Sequence, residues 1–379
     1  MANGGAGSPG GPFLMLRQRV LDKEILKMMD KVRVGIVGSK FAAGLHVHAY
    51  HSLPHVEVLA VAAIDNLREF AEANNVPDTY EDYNEMFRRK DIDLISVCVP
   101  NFLHRQVVLD AAKAGKKYII CEKPLATSLA DGEAMLKACR DAGAKLYYAE
   151  DWLFAPALVR AKQIIDEGAI GKVLYVKAKE THPGSHSEYA RKAAYCGGGA
   201  MIHLGIHPIG WVRYLMQQEV VEVIGKCSGG GKNNLKHDYF EGEDWSVAIL
   251  TFESGAFGFV EGNYTTAGGL DDTIEIYGTE GTIKIDLAKG SPITMFSLPG
   301  YGYSIEKAEI TTGWSMPAVD EERNLGYADE IAYFVDCVRR DEEPMFGVRG
   351  EDGLIALDIT IAIYESSKTG KAVKVKTRK

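Results

Sequence analysis

Between residues 32 and 149, short runs of β-branched and aliphatic residues alternate with stretches of helical periodicity, and this alternation constrains the fold more than any other feature. The predicted strands cover residues 32–37, 56–64, 94–99, 118–121 and 146–149. The predicted helices between them extend from 41 to about 53 and over 67–74, 105–114 and 129–142. This alternation predicts a parallel, doubly wound sheet, because each parallel strand is reached through a helical crossover. Right-handed crossovers then place the loops after the strands at one edge, where ligands bind.

A different pattern follows residue 156. Helical periodicity at 157–167 and 200–216 flanks an alternating strand at 173–180, and two closing helices are predicted at 327–340 and 350–369. Short strands joined by tight turns lie between them, at 220–224, 246–252, 256–264, 272–277 and 282–286. Strands joined in this way predict a mostly antiparallel sheet with helices on one face.

At 379 residues, the chain has the length expected of two domains. We predict an α/β chain whose first domain, at 31–154, has a doubly wound parallel sheet. A substrate-binding α+β domain at 155–379, with a large open and mostly antiparallel sheet, can pack its last helices back on the first domain. Residues 1–30 are predicted to form a flexible tail and an amphipathic helix, which extends over 14–31.

Composition and charge argue against several classes of partner. The formal net charge of −9 disfavours nucleic acid and an anionic membrane surface, since both need clustered lysine and arginine. The longest apolar runs are of strand length, so no segment is expected to span a bilayer. Six cysteines without paired spacing favour reduced thiols, and the N-terminus lacks the pattern of a signal peptide. We expect a cytoplasmic protein whose partner is a small molecule.

The turn after the first predicted strand has the composition of a pyrophosphate-binding loop. It reads GSKFAAG at 38–44, so Gly38 is the one glycine of a G-x-G-x-x-G pattern that stands in place. Glycine lets the backbone approach phosphate, and the N-terminus of the following helix supplies N–H donors and a partial positive charge. We predict cofactor contacts at Gly38, Ser39, Lys40 and Phe41, with Lys40 either touching phosphate or standing in solvent.

The end of the second strand normally discriminates between NAD and NADP, because a carboxylate there binds the ribose diol and repels a 2′-phosphate. Asp65 lies near this position, whereas Ala63 occupies the place where an acid is expected. Arg68 leaves NADP open as the alternative. We predict NAD, with Asp65 as a ribose contact.

Three further segments carry a resemblance to a known family. They read VCVPNFLH at 97–104, CEKPL at 121–125 and GGGAMIHLGIHP at 197–208, and they resemble the glucose–fructose oxidoreductase / inositol dehydrogenase / MocA (Gfo/Idh/MocA) family from about residue 32 to 375. The resemblance implies a Rossmann domain and an α/β domain whose open sheet often forms oligomer interfaces, hence a homo-oligomer through the C-terminal sheet. It implies that Glu122, Lys123 and Pro124 lie beside the nicotinamide, that Lys123 contributes to catalysis and that His207 is the catalytic histidine. The implied lining of the cofactor cleft is Pro100, Asn101, His104, Glu122 and Lys123.

The chain also departs from the family pattern. The aspartate usual four residues before the histidine is His203 here, and Gly210 replaces a later aspartate. The segment EDWLF at 150–154 replaces the more usual aromatic-Asn-Arg-Arg-Phe. The acidic pair Glu150–Asp151 and the two histidines are similar to bacterial family members that oxidise glycosides at C3.

Oxidation of a secondary alcohol needs a hydride acceptor and a base for the hydroxyl proton. A cationic nicotinamide disfavours the ammonium form of a neighbouring Lys123, so this lysine would orient the hydroxyl or share its proton. The alternative is a salt bridge between Lys123 and Glu122.

His203 and His207 are four residues apart in a helical pattern, which predicts that both project from one face. Three interpretations remain open. In the first, His207 is the general base and His203 is its relay partner. In the second, the pair binds a divalent metal that polarises the hydroxyl. In the third, both histidines are structural. The candidates to complete a metal shell are Glu150, Asp151, His182, His186 and Cys196.

Substrate contacts are expected where the strand at 173–180 enters the cleft. The predicted contacts are Glu150, Asp151, Lys179, Glu180, His182, His186 and His203. The histidines of the first crossover helix, His46, His48 and His51, are not spaced as a ligand set and are expected to be structural. We predict an NAD-dependent dehydrogenase for a secondary hydroxyl of a sugar, glycoside or cyclitol. The alternatives are a glycoside-cleaving enzyme with transient oxidation and no net NADH, and a non-catalytic sugar-binding relative.

Overall fold

A computed structural model describes residues 30–185, 187–288, 293–301, 311–315 and 320–376. The N-terminal tail, nearly all of the predicted amphipathic helix at 14–31, and His186 lie outside these residues. Among the described residues, no helix is both long enough and apolar enough to cross a membrane. All six cysteines are described and none forms a disulfide.

The first sheet has six parallel strands in the order β3-β2-β1-β4-β5-β6. Their bounds are Val32–Val37 (β1), Val56–Ala62 (β2), Asp78–Tyr80 (β3), Leu94–Val97 (β4), Tyr118–Cys121 (β5) and Lys145–Tyr148 (β6). Every residue of β4 and β5 is buried, as expected of parallel strands covered on both faces. The strand order reverses between β1 and β4, and a crevice at such a point is where doubly wound sheets bind ligands. The predicted doubly wound sheet is confirmed.

The helices of this layer are Phe41–His51 (α1), Leu67–Ala73 (α2), Tyr83–Phe87 (α3), Asn101–Lys113 (α4) and Leu129–Ala142 (α5). Helix α4 begins four residues earlier than predicted, directly after Pro100, which has an extended ψ of 143°. Helix α5 has the predicted bounds because its ends are encoded locally: the Ser128 hydroxyl caps its N-terminus and Gly143, at φ 66°, ends it. Strand β3 and helix α3 were not predicted.

The second sheet has seven strands in the order β12-β11-β7-β10-β9-β8-β15. Their bounds are Val173–Thr181 (β7), Val220–Cys227 (β8), Trp245–Phe252 (β9), Phe257–Asn263 (β10), Thr273–Gly278 (β11), Thr282–Asp286 (β12) and Val373–Lys374 (β15). All neighbours pair antiparallel except β7 and β10. The predicted mostly antiparallel sheet is therefore confirmed. A separate antiparallel pair is formed by Met295–Tyr301 (β13) and Thr311–Ser315 (β14).

The remaining helices are Pro156–Asp166 (α6), Ala193–Cys196 (α7), Ile206–Met216 (α8), Glu321–Leu325 (α9), Tyr327–Arg340 (α10) and Gly350–Thr369 (α11). Helix α8 packs on β7 and β10, and α11 packs on β8, so both cover the inner face of the second sheet. Helix α10 also packs against α1, and α11 against α5 and β6. The two closing helices thus hold elements of the first layer against the second.

The outer face of the second sheet carries aromatic side chains that are partly exposed. The Tyr175 ring stacks on Tyr277 at 4.5 Å between centroids and meets Phe259 edge-on at 6.1 Å. Phe257, on the same face, is about half exposed, at 45%. This face is the surface to which the predicted homo-oligomer was assigned, and that assignment stays a prediction.

Candidate functional site

The carboxyl ends of β1, β2, β4 and β5 meet at one edge of the first sheet, and the turn after β1 lies at its centre. Gly38 adopts φ 124°, and a Cβ there would overlap the carbonyl oxygen of Cys98. Only glycine allows the turn to pass this close to the loop after β4. The predicted phosphate turn therefore lies at the crevice where the strand order reverses.

Lys40 and Asp65 come together at this edge, from the turns after β1 and β2. The Lys40 Nζ lies 2.7 Å from the Asp65 Oδ2, and the Ser39 hydroxyl donates to the Asp65 carbonyl at 2.6 Å. Both charged side chains are more than half exposed, as is Phe41 at the start of α1. The arrangement leaves an amine and a carboxylate accessible beside the turn. Their contacts with a cofactor stay predictions.

The loop after β5 carries Glu122 and Lys123, and His46 of α1 binds the side chain of Glu122. His46, on α1 and fully buried, places its Nε2 2.8 Å from the Glu122 Oε1, and the Lys123 N–H donates to Oε2 at 3.2 Å. Burial alone would raise the pKa of Glu122, but the His46 hydrogen bond and the Lys123 charge outweigh burial, so the pKa lies below its ordinary value. An ionised Glu122 thus anchors the loop that presents Lys123.

His104 and Asn101 were predicted to contact a cofactor, but their side chains bind backbone carbonyls of the protein. His104 is fully buried, with its Nδ1 2.9 Å from the Pro124 carbonyl and its Nε2 2.9 Å from the Val99 carbonyl. The Asn101 side-chain amide donates to the Cys196 carbonyl at 2.9 Å. Because His104 has no exposed surface, we correct its role: it ties the loop after β5 to the loop after β4. Asn101 ties α4 to the second domain.

Lys123 reaches across to the second domain. Its Nζ donates to the carbonyl of His203 at 3.0 Å. His203 lies in a π-helical turn, Met201–Gly205, that leads directly into α8 and its second residue, His207. The amine at position 123 therefore contacts the same short segment that carries the predicted catalytic histidine.

His207 is buried among carboxylates. Its Nδ1 lies 2.7 Å from the Glu150 Oε1 and 3.2 Å from the Asp151 Oδ1, in the turn after β6. Its Nε2 lies 3.8 Å from the Glu180 Oε2, beyond hydrogen-bond distance. The Trp152 ring lies parallel to the imidazole, at 6.0 Å between centroids. The acidic turn thus engages Nδ1 and leaves Nε2 beyond hydrogen-bond distance of Glu180.

The Nδ1 atoms of the two histidines have different partners, and the prediction that both side chains project from one face stays a prediction. The His203 Nδ1 lies 2.5 Å from the Tyr264 hydroxyl, at the end of β10, whereas the His207 Nδ1 faces Glu150. Among the described residues, the group spaced closely enough for a metal is Glu150, Asp151 and His207, without His203.

The distances in this group fit a hydrogen bond better than a metal. Ligand atoms on a tetrahedral ion with bonds of about 2.1 Å are about 3.4 Å apart. The N···O distance between His207 and Glu150 is 2.7 Å, the length of a hydrogen bond to a carboxylate. The arrangement therefore supplies a proton site, and we derive no step through a metal.

Burial disfavours charge on both partners. Burial, followed by the negative charge of Asp151, raises the pKa of Glu150 well above its ordinary value. Burial lowers the pKa of His207 well below its ordinary value, and Lys123 and His203 act in the same direction. The pair can exchange one proton over a short hydrogen bond.

Comparison with known proteins now adds to this geometry. A family model described as "Oxidoreductase family, NAD-binding Rossmann fold" matches residues 32–150, and its partner, the "C-terminal alpha/beta domain", matches residues 162–376. The chain belongs to the Gfo/Idh/MocA oxidoreductase family. It is an enzyme of a family of NAD(P)-dependent sugar and cyclitol dehydrogenases.

Several relatives cover most of this Gfo/Idh/MocA chain. The myo-inositol 2-dehydrogenase of Thermotoga maritima is 27% identical over 348 residues, 91% of this chain and 98% of the relative. The scyllo-inositol 2-dehydrogenase (NAD(+)) of Bacillus subtilis is 30% identical over 302 residues, 79% and 82% of the two chains. The crystal structure of GenD2 from gentamicin A biosynthesis in complex with NAD superimposes with a TM-score of 0.84 at 25% identity, covering 92% of this chain and 98% of GenD2.

Two of the predicted substrate contacts of this Gfo/Idh/MocA enzyme need correction. Lys179 points to the outer face of the second sheet, because side chains alternate along β7, and its Nζ pairs with Asp271 at 2.7 Å. Its neighbour Glu180 points inward, to His207. Glu150 has no exposed surface and binds His207, so it is not placed to touch a substrate. Asp151 and His182 stay predicted contacts, both almost fully buried.

Tyr264 is a residue of the site that the sequence did not single out. It is fully buried, stacks on His182 at 5.5 Å between centroids and contacts His203 through its hydroxyl. No motif spacing joins position 264 to position 203, because packing of the Met201–Gly205 turn against β10 brings them together. The signal is present only in the folded chain.

Proposed function

We propose that this enzyme oxidises a secondary hydroxyl of a sugar, glycoside or cyclitol by hydride transfer to NAD. The observation that carries the proposal is the contact between the Lys123 Nζ and the His203 carbonyl. Through it, an amine from the edge of the Rossmann sheet meets the segment that presents His207. The names of the inositol dehydrogenases among the relatives support a polyol or sugar as substrate.

NAD bound at the Gly38 turn supplies the acceptor for the hydride that leaves the substrate carbon. Lys123 donates a hydrogen bond to the substrate hydroxyl and orients it. The Nε2 of His207 accepts the hydroxyl proton as the carbonyl forms, because its Nδ1 is already engaged by Glu150. Burial of the imidazole excludes water from this proton transfer. The protein thus takes the hydroxyl proton, and a bound NAD would take the hydride.

The proposed cofactor is NAD, and the proposed substrate is a glycoside. NAD is favoured over NADP because the Asp65 carboxylate, accessible beside the phosphate turn, would repel a 2′-phosphate. Among substrates, a glycoside oxidised at C3 is supported by the acidic turn at Glu150 and Asp151, a feature similar to bacterial enzymes of that activity.

The test is a panel of inositols, free sugars and glycosides incubated with the purified enzyme and NAD⁺ or NADP⁺. NADH formation with at least one polyol, and an efficiency with NADP⁺ lower by about tenfold or more, are the expected results. Aglycone release without net NADH would identify the glycoside-cleaving alternative. Flat NADH absorbance with every compound and no product of either kind would refute the proposal.

We also propose that the enzyme is a homo-oligomer in the cytoplasm. A second copy of the chain packs on the outer face of the second sheet, where Lys177 and Glu275 form an ion pair between aromatic side chains. A face with both charges can complement itself across a twofold axis. Light scattering of the wild type and of Phe257→Glu is the test, and equal masses for both at the monomer value would contradict the interface. The free thiols support a reducing compartment, the cytoplasm.

A further inference from the structure

We propose that Glu150 is the positioning residue of the active-site base: it fixes the tautomer of His207 and stabilises the imidazolium that forms when the substrate hydroxyl loses its proton. The proposal rests on the proposed function and deepens it. Neither the family comparisons nor the resemblance in sequence assigns this role to position 150, where the usual family pattern has an aromatic residue.

A hydrogen bond joins Glu150 to one ring nitrogen of His207. A neutral imidazole carries one N–H, and the nitrogen without it accepts protons. The His207 Nδ1 lies 2.7 Å from a carboxylate oxygen of Glu150, and both side chains are at most 2% exposed. When Glu150 is ionised, Nδ1 carries the hydrogen and donates it to the carboxylate. The lone pair is then on Nε2, which lies 3.8 Å from the Glu180 Oε2.

The space that Glu150 occupies lies against Gly210 of α8. Gly210 lies one helical turn after His207, inside α8, where glycine is less favourable than alanine. A Cβ at Gly210 would lie 3.2 Å from the Glu150 Oε2 and 3.3 Å from its Cδ. These contacts are tighter than most real Cβ contacts, so alanine would displace the carboxylate. The glycine inside α8 thus provides the room in which Glu150 reaches His207.

The charged groups around His207 affect the stability of its imidazolium form. The groups that face His207 from the elements around it are Glu150, Asp151, Glu180, Lys123 and His203. Lys123 and His203 oppose a positive imidazole, so a carboxylate must compensate when the proton arrives. Glu150 is the closest to the ring, and Asp151, at 3.2 Å from Nδ1, is the second. A hydrogen bond to a charged group is stronger in a buried site than in water.

The experiment compares Glu150→Gln, Glu150→Asp and Gly210→Ala with the wild type, and Glu167→Gln, an exposed residue after α6, is the matched control. We expect Glu150→Gln to lower kcat by about 100-fold or more with the KM for NAD⁺ unchanged. The acidic limb of the kcat–pH profile should move to lower pH, because a nearby anion no longer favours the imidazolium. Glu150→Asp should recover at least tenfold, and Gly210→Ala should shift the profile in the same direction as Glu150→Gln.

A second measurement does not depend on turnover. The Nδ1–H proton of His207 should give a downfield NMR resonance that is absent in His207→Gln and moves upfield or disappears in Glu150→Gln. A Glu150→Gln enzyme with kcat within threefold of wild type and this resonance unchanged would overturn the proposal. Metal bound stoichiometrically to the wild type and lost in Glu150→Gln would also overturn it. If no substrate is found, the resonance alone decides, so failure of the proposed function and failure of this inference are distinguishable.

Discussion

Glu243 lies directly beneath the turn that carries His203, and its ionisation opposes folding. Its side chain is buried, and its Oε1 accepts from the Met201 N–H at 2.8 Å and from the Tyr364 hydroxyl at 2.9 Å. Burial outweighs these hydrogen bonds and raises the pKa from 4.5 to about 7. The folded protein therefore holds this proton more tightly than the unfolded chain does.

The magnitude follows from the two pKa values. One unit of pKa corresponds to about 1.4 kcal/mol, so a rise from 4.5 to about 7 is worth about 3 kcal/mol. Between these pH values the folded state binds more protons than the unfolded state, so stability falls as pH rises. The contribution from Glu243 is constant below the unfolded pKa, is lost between about pH 4.5 and 7, and stays lost above the folded pKa.

The assay is urea unfolding of the wild type and of Glu243→Gln, followed by tryptophan fluorescence at about pH 5 and about pH 8. Glutamine keeps an acceptor for the Met201 N–H and cannot ionise. The loss of unfolding free energy between the two pH values should be smaller in Glu243→Gln by about 2–3 kcal/mol. Glu280→Gln, at an exposed turn, is the control and should behave as the wild type. An identical pH dependence in Glu243→Gln and wild type would refute the reasoning.

Three further predictions concern the site and its support. Burial and the charge of Asp151 raise the pKa of Glu330 well above its ordinary value. Glu330→Gln should therefore raise the urea midpoint at about pH 8 and change it little at about pH 5. An equal shift of the midpoint at both pH values would contradict this. Gly38→Ala should abolish NAD binding in calorimetry, because its Cβ overlaps the Cys98 carbonyl; wild-type affinity would contradict this. Lys123→Met should lower kcat by about 100-fold or more, whereas Lys177→Met on the outer face should not; equal rates would remove Lys123 from catalysis.

Much of the fold could be predicted because its signals are local. The hydrophobic runs of β1, β4 and β5 mark buried parallel strands, and the cap residues Ser128 and Gly143 mark both ends of α5. The motif at 121–125 identified the loop that carries Lys123, since the family resemblance lies in neighbouring residues. Short elements such as β3 have too few residues for a periodic signal, and they were missed.

The sequence by itself determined the fold class, the family and the presence of Lys123 and His207 at the site. Only the tertiary structure decided which side chains of the site contact each other. The His203 Nδ1 contacts Tyr264 whereas the His207 Nδ1 contacts Glu150, strand alternation directs Lys179 to the outer face, and Gly210 leaves room for Glu150. These outcomes depend on which atoms meet across elements far apart in the chain. Hydrophobic periodicity records which residues are buried, but it does not record their partners.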